Sequence, residues 1–286
     1  MKFGSQYVKE LSFCTGIAYI FYMAGRTQRI SGEEGSPAPR LRRRSRPGTF
    51  LAFFLLAVLA VSAFQVASKF PDLSDPILRT SSSTVSVHSE GGDLRFLPQG
   101  REALPVGFIM YPGAKVPKEA YSYLARSLAE EGYPAVLVDA PLGFAIFGVD
   151  AASPSIAALT GVKRWVLAGH SLGGVAASLY AKKHPESVAG IVLLGSYPPG
   201  GGSLAGLDLR ALSISASNDM LATQEKIEKS RTLLLETTLY LRVPGGNHAQ
   251  FGEYGSQRGD GAAEIPPGRQ QGIVVESVLA LMANLR

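Results

Sequence analysis

Ser171 in GHSLG, Asp219 in SNDML and His248 in GGNHAQ are residues whose types suit acyl-transfer chemistry. A serine hydroxyl is a weak nucleophile alone. It needs a base, usually an imidazole, and that base needs a carboxylate to hold its tautomer and orientation. Gly169-His170-Ser171-Leu172-Gly173 fits the pattern G-x-S-x-G. The pattern by itself is weak, because glycine is common in this chain. Its context is stronger: an apolar run, RWVLAG, leads into it and an apolar helical stretch leads out. In that setting the serine stands in a strained turn with its hydroxyl clear of the sheet. Small flanking residues let other backbone approach. The first N–H groups of the helix point to where an oxyanion would form. The competing reading is a serine that only caps the helix.

Four histidines compete for the role of base. His88 lies on an early strand, expected at the sheet edge. His170 is bound into the turn and is expected to point away. His184 ends the helix after the serine, where a cation suits the helix dipole. His248 alone follows a late strand, in a glycine-rich loop downstream of Ser171. Of the acids between Ser171 and His248, Glu225 and Glu228 fall mid-helix, and Glu186 and Glu236 on the surface. Asp219 stands at the end of a strand, where it also suits the cap of the next helix. Asp208, in the loop before that strand, is its main rival. Leu172 is one expected oxyanion donor. The other is Gly113 or Ala114, in the loop after the third strand, and the residues do not decide between them.

The elements that must position these groups alternate. TVSVHS and DLRFLP read as a hairpin through EGG, and PVGFIMY as a buried strand. Helical PKEAYSYLARSLAEEGY, strand PAVLVDA and a short helix DAASPSIAALTG follow. After the serine turn and its helix come strands SVAGIVLLGSY and ALSISAS. The chain closes with helix MLATQEKIEKSRTLL, strand TTLYLRV and helix GIVVESVLALMANL. Apolar runs without alternation mark strands covered on both faces. The expectation is a three-layer α/β domain over 84–286, about eight mostly parallel strands with helices on both faces. Active groups then collect at the carboxyl ends of the strands.

The chain has 286 residues, 46% hydrophobic and 18% charged, which suits a sizeable core. Its net charge of +5 is uneven. Residues 1–49 hold nine Lys/Arg and three Asp/Glu, hence +6, which leaves −1 for the remainder. The folded part thus has no cationic excess, and nucleic acid is not an expected partner. The single cysteine, Cys14, makes neither an internal disulfide nor a zinc site. Residues 1–48 read as a basic, disordered segment. Thr49–Ala67 is uncharged, long enough to cross a bilayer, and preceded by five arginines between Arg40 and Gly48. It reads as a signal-anchor, or as a signal peptide cleaved after Val61-Ser-Ala63. The domain is then membrane-anchored outside the cytoplasm, or secreted. A second run, Leu11–Gly25, is short for a span. Residues 68–83 read as a linker.

The order Ser…Asp…His, the serine turn and the alternation resemble the α/β-hydrolase family over residues 84–286. YPGAKVPKEAY, DAPLGFAIFG and GGNHAQFGEYG resemble a small bacterial subfamily related to dienelactone hydrolases. Those enzymes use a cysteine nucleophile, whereas this chain has Ser171. Many members carry a His-Gly pair after the third strand, where Tyr111-Pro112 stand here. The family's usual lid position, Tyr197–Asp208, is only a short loop, so no lid domain is expected. Leu142, Phe144, Phe147 and Phe251 read either as pocket lining or as core. The resemblance implies hydrolysis of a small-molecule ester or thioester without a cofactor or metal. Transfer of the acyl group to an alcohol, or a non-catalytic tethered binding protein, are the alternatives.

Overall fold

The structure is a computed structural model that describes residues 75–285. The basic segment 1–48 and both apolar runs, Leu11–Gly25 and Thr49–Ala67, lie outside the described residues. Among the described residues no helix is long and apolar enough to cross a membrane.

The chain forms strands β1 (Val85–Glu90), β2 (Asp93–Pro98) and β3 (Val106–Tyr111), then helix α1 (Ser122–Glu130) and strand β4 (Ala135–Leu137). Helix α2 (Ala152–Ala158), strand β5 (Arg164–His170), helix α3 (Leu172–Lys183) and strand β6 (Val188–Leu194) follow. Strand β7 (Arg210–Ala216), helix α4 (Gln224–Lys229), strand β8 (Leu239–Val243) and helix α5 (Pro267–Ala283) complete it. The strands make one eight-stranded sheet in the order β1-β2-β4-β3-β5-β6-β7-β8. Only the β1–β2 and β2–β4 pairs are antiparallel.

Strand β3, VGFIMY, is buried at every position because both faces are covered. Val106, Phe108 and Met110 of β3 meet α1 and α5 through Leu124, Leu128, Val274 and Val278. Ile109 and Tyr111 of the same strand face the other way, with Ala176, Ala177 and Tyr180 of α3. This is the period-two alternation of a strand, read in two cores instead of core and solvent. Between β6 and β7 the described residues hold one short turn, Gly200–Gly202, and no lid domain is inserted.

Several boundaries differ from the sequence reading. The helix expected from Met220 is confined to Gln224–Lys229, because Asp219 first organises a turn. The closing helix starts earlier, with Pro267 in its first turn. The part of the expected linker that is described, 75–83, is tied to α1. Arg126 Nε donates to Leu78 O at 2.9 Å, and its guanidinium also reaches Thr80 O.

Gly107 of β3 is required by its neighbour: a Cβ there would lie 2.5 Å from the Trp165 ring of β5. Overpacking of this kind costs about 1–3 kcal/mol, so Gly107→Ala should lose that much in urea unfolding. A change below about 0.5 kcal/mol would mean the Trp165 ring yields freely, against the close packing of cores.

Candidate active site

The parallel register brings four strand ends level. His170 pairs with Leu194, Leu194 with Ile214, and Ala216 with Val243. Ser171, Gly195, Asp219 and His248 therefore leave neighbouring strands on one edge of the sheet.

Ser171 has φ +51° and ψ −122°. A non-glycine residue there stores about 1–3 kcal/mol and persists only where the surroundings over-determine it. They do so here through missing side chains. A Cβ on Gly169 would lie 2.3 Å from the Gly173 carbonyl carbon. One on Gly173 would lie 2.2 Å from Tyr111 O, and one on Gly174 2.3 Å from Ser196 Oγ. The turn is held by Ser171 N donating to Leu194 O at 3.0 Å and Ser196 Oγ donating to Ser171 O at 2.6 Å. Ser171 makes no cap hydrogen bond with its side chain, so its hydroxyl is not spent on the helix.

His248 and Asp219 meet. Nδ1 of His248 lies 2.8 Å from Oδ2 of Asp219, with the imidazole 1% and the carboxylate 0% exposed. The other oxygen, Oδ1, accepts from Leu221 N at 2.8 Å and Ala222 N at 2.7 Å. Capping and orienting are thus shared between the two oxygens of one carboxylate. These three donors offset the cost of burying its charge. Nε2 of His248 is buried with no hydrogen-bond partner among the described residues. The rival acid, Asp208, precedes the amino end of β7, a strand's length of roughly 20 Å from Asp219.

Of the two oxyanion candidates after β3, Gly113 is already engaged. Its N–H donates to the Tyr121 hydroxyl at 3.0 Å. Ala114 N–H has no acceptor among the described residues. Leu172 N–H is at the first position of α3, where no intrahelical acceptor exists. The tight contact of Gly173 with Tyr111 O and Pro112 O sets this helix start against the β3 loop.

A sequence model of the alpha/beta hydrolase family matches residues 107–272, more than half of the chain. The chain belongs to the α/β-hydrolase family. A search of curated protein sequences finds no match. Among solved structures, a predicted CIB-like hydrolase from Thermoplasma acidophilum superposes with a TM-score of 0.51 at 14% identity. The match covers 68% of this chain and 98% of that one. Est1E from Butyrivibrio proteoclasticus, with ferulic acid bound, gives 0.50 at 14%, over 70% and 96% of the two chains. A dienelactone hydrolase from Anabaena variabilis gives 0.50 at 15%, over 70% and 99%. At these identities the likeness is one of fold.

In this α/β-hydrolase the histidine loop is held by residues that sequence reasoning missed. Gln270, fully buried at the start of α5, donates Nε2 to Asn247 O at 2.8 Å and accepts from Asn247 N at 3.0 Å. Asp260 Oδ2 accepts from Ala249 N at 2.8 Å. Asn218 N donates to Gly246 O at 2.9 Å and Gly245 N to Ser217 Oγ at 2.7 Å, which zips the acid loop to the histidine loop. The one signal was the amide pair Gln270-Gln271 at the head of an otherwise apolar helix face. Leu142 and Phe147 are 76% and 63% exposed, whereas Phe251 is core at 1%.

His170 departs from expectation. Its ring does not point away. It lies against the His248 ring, centroids 4.5 Å apart, and is fully buried. Burial pushes the His170 imidazole well below its ordinary value, and the nearby His248 adds to this.

Two tests follow from this geometry. Gln270→Leu keeps volume but strands the Asn247 N–H and C=O, so it should cost about 2–4 kcal/mol in urea unfolding. A loss under about 1 kcal/mol would show that the loop is held elsewhere. For His170 the unfolded chain binds the proton first. Its contribution is full above the unfolded value of about 6.5 and is lost as pH falls below it. The melting temperature should therefore drop less between pH 7.5 and 5.5 in His170→Leu than in the wild type. Equal drops would place a charged imidazole in the fold.

Proposed function

We propose that the protein is a serine hydrolase that cleaves a carboxylic ester or thioester through an acyl-enzyme. The observation that carries this reading is the buried His248–Asp219 hydrogen bond on the sheet edge where the strained Ser171 turn ends. Ser171 Oγ attacks the carbonyl carbon while His248 Nε2 takes the hydroxyl proton. Asp219 holds Nδ1–H and stabilises the imidazolium. The N–H groups of Leu172 and Ala114 receive the oxyanion. Collapse of the tetrahedral species expels the alcohol or thiol, which leaves with the proton from His248. Water then attacks the acyl group by the same steps, and the acid is released with Ser171 restored.

An ester fits the names of the fold neighbours, an esterase with ferulic acid bound and a dienelactone hydrolase. With no lid domain over the site among the described residues, water reaches the acyl-enzyme, which favours hydrolysis over transfer to an alcohol. The uncharged run Thr49–Ala67 and its arginine flank support a domain outside the cytoplasm, tethered or released.

The test is covalent labelling of the full chain with a fluorophosphonate. Wild type should label at one serine, and Ser171→Ala should not label. His248→Ala and Asp219→Asn should slow ester hydrolysis by about 10³-fold or more. A Ser171→Ala chain that labels as well as wild type, or a folded wild type that does not label, would sink this reading.

A further inference from the structure

Tyr121 lies between the two halves of the site. It comes from the turn before α1 and is 1% exposed. Its hydroxyl accepts from Gly113 N at 3.0 Å and lies 2.8 Å from His170 Nδ1. Gly113 N–H is only a donor, so the phenol oxygen accepts there. The phenol proton is retained, since burial pushes the Tyr121 phenol well above its ordinary ionisation range. The other recorded partner is His170 Nδ1, which therefore accepts this proton. A neutral His170 then carries its own proton on Nε2, which is buried with no hydrogen-bond partner among the described residues.

Around this phenol the Gly113–Ala114 peptide has little freedom. Gly113 O accepts from Val116 N at 3.1 Å, and Lys115 N donates to Gly143 O at 2.7 Å. In a trans peptide the N–H points opposite to the carbonyl. Ala114 N–H is therefore aimed away from Val116. A Cβ on Gly113 would sit 3.0 Å from His170 Nδ1 and 3.4 Å from the Tyr121 oxygen, so any side chain there would crowd both groups. One hydroxyl thus touches the residue before the oxyanion donor Ala114 and the residue before the nucleophile Ser171.

We propose that Tyr121 is a positioning residue that sets the distance between the oxyanion-holding peptide and the nucleophile. It does so by bonding Gly113 on one side and His170 on the other. The inference rests on the ester-hydrolase reading. It differs from a packing role, because removing one oxygen should change the transition state more than the ground state.

The test compares wild type and Tyr121→Phe, as full chains, on 4-nitrophenyl acetate, with melting curves as the folding control. Tyr121→Phe should lower kcat about 10- to 100-fold with KM within about twofold, because a small misplacement of an oxyanion donor acts on the transition state. Ring-nitrogen NMR of the wild type should show His170 Nδ1 unprotonated and accepting, whether or not Tyr121→Phe folds. A folded Tyr121→Phe with unchanged kcat, or a proton found on His170 Nδ1, would overturn the proposal. A wild type that turns over no ester overturns both readings. An active wild type with an unaffected Tyr121→Phe overturns this one alone.

Discussion

The backbone contact at the end of β5 is the constraint on which the rest of the site depends. Gly173 lies against Tyr111 O, Gly169 against Gly173, and Gly174 against Ser196 Oγ, at separations no Cβ tolerates. Those contacts bring the head of α3 up to the ends of β3 and β6. They also leave Ser171 no ordinary backbone conformation, so it takes φ +51°. The strain and the close packing have one cause. Without it the first N–H groups of α3 would stand too far from the β3 loop to share the proposed oxyanion.

From that contact the remaining groups are placed by the parallel register, strand by strand. The loop after β6 begins with Gly195 at φ +49°, where a Cβ would lie 2.9 Å from Asp219 Oδ2 and 3.0 Å from His248 Nδ1. The acid and the base thus fit only over a bare backbone. Their own loops are then joined to each other through Ser217, Asn218, Gly245 and Gly246, before any helix intervenes. The buried pair is held by peptide groups and amides whose geometry is rigid, as preorganisation for charge development requires.

The fold was legible because β3, β5 and β6 carry apolar residues at consecutive positions, which a doubly covered sheet accommodates. The placement of Ser171, Asp219 and His248 after strands was legible because each follows an apolar run and opens a turn or loop. The helix after Asp219 was misjudged at its start because a carboxylate near a helix can organise a separate turn, and composition does not tell the two apart. Gln270 was missed because a buried amide and a surface amide are the same letter. What distinguishes them is the distant Asn247 backbone, brought near by the closing helix.

Tyr121 and His170 mark the deeper reason for what was not legible. In PKEAYSYLARSL the tyrosine has the spacing of a core residue, and most of its ring is core, packed with Leu124 and Phe251. Only its oxygen is polar, and the partners of that oxygen lie 8 and 49 residues away. Hydrophobic periodicity reports the ring and is blind to the oxygen. The same holds for His170, whose place in the serine motif suggested a bystander. Its ring is buried against His248, so the elbow and the base are in contact through a neutral imidazole. A charged ring there would repel the imidazolium that the proposed acyl transfer forms on His248. Burial, which keeps His170 neutral, is therefore compatible with the proposed chemistry for the same reason that it lowers the affinity of His170 for a proton.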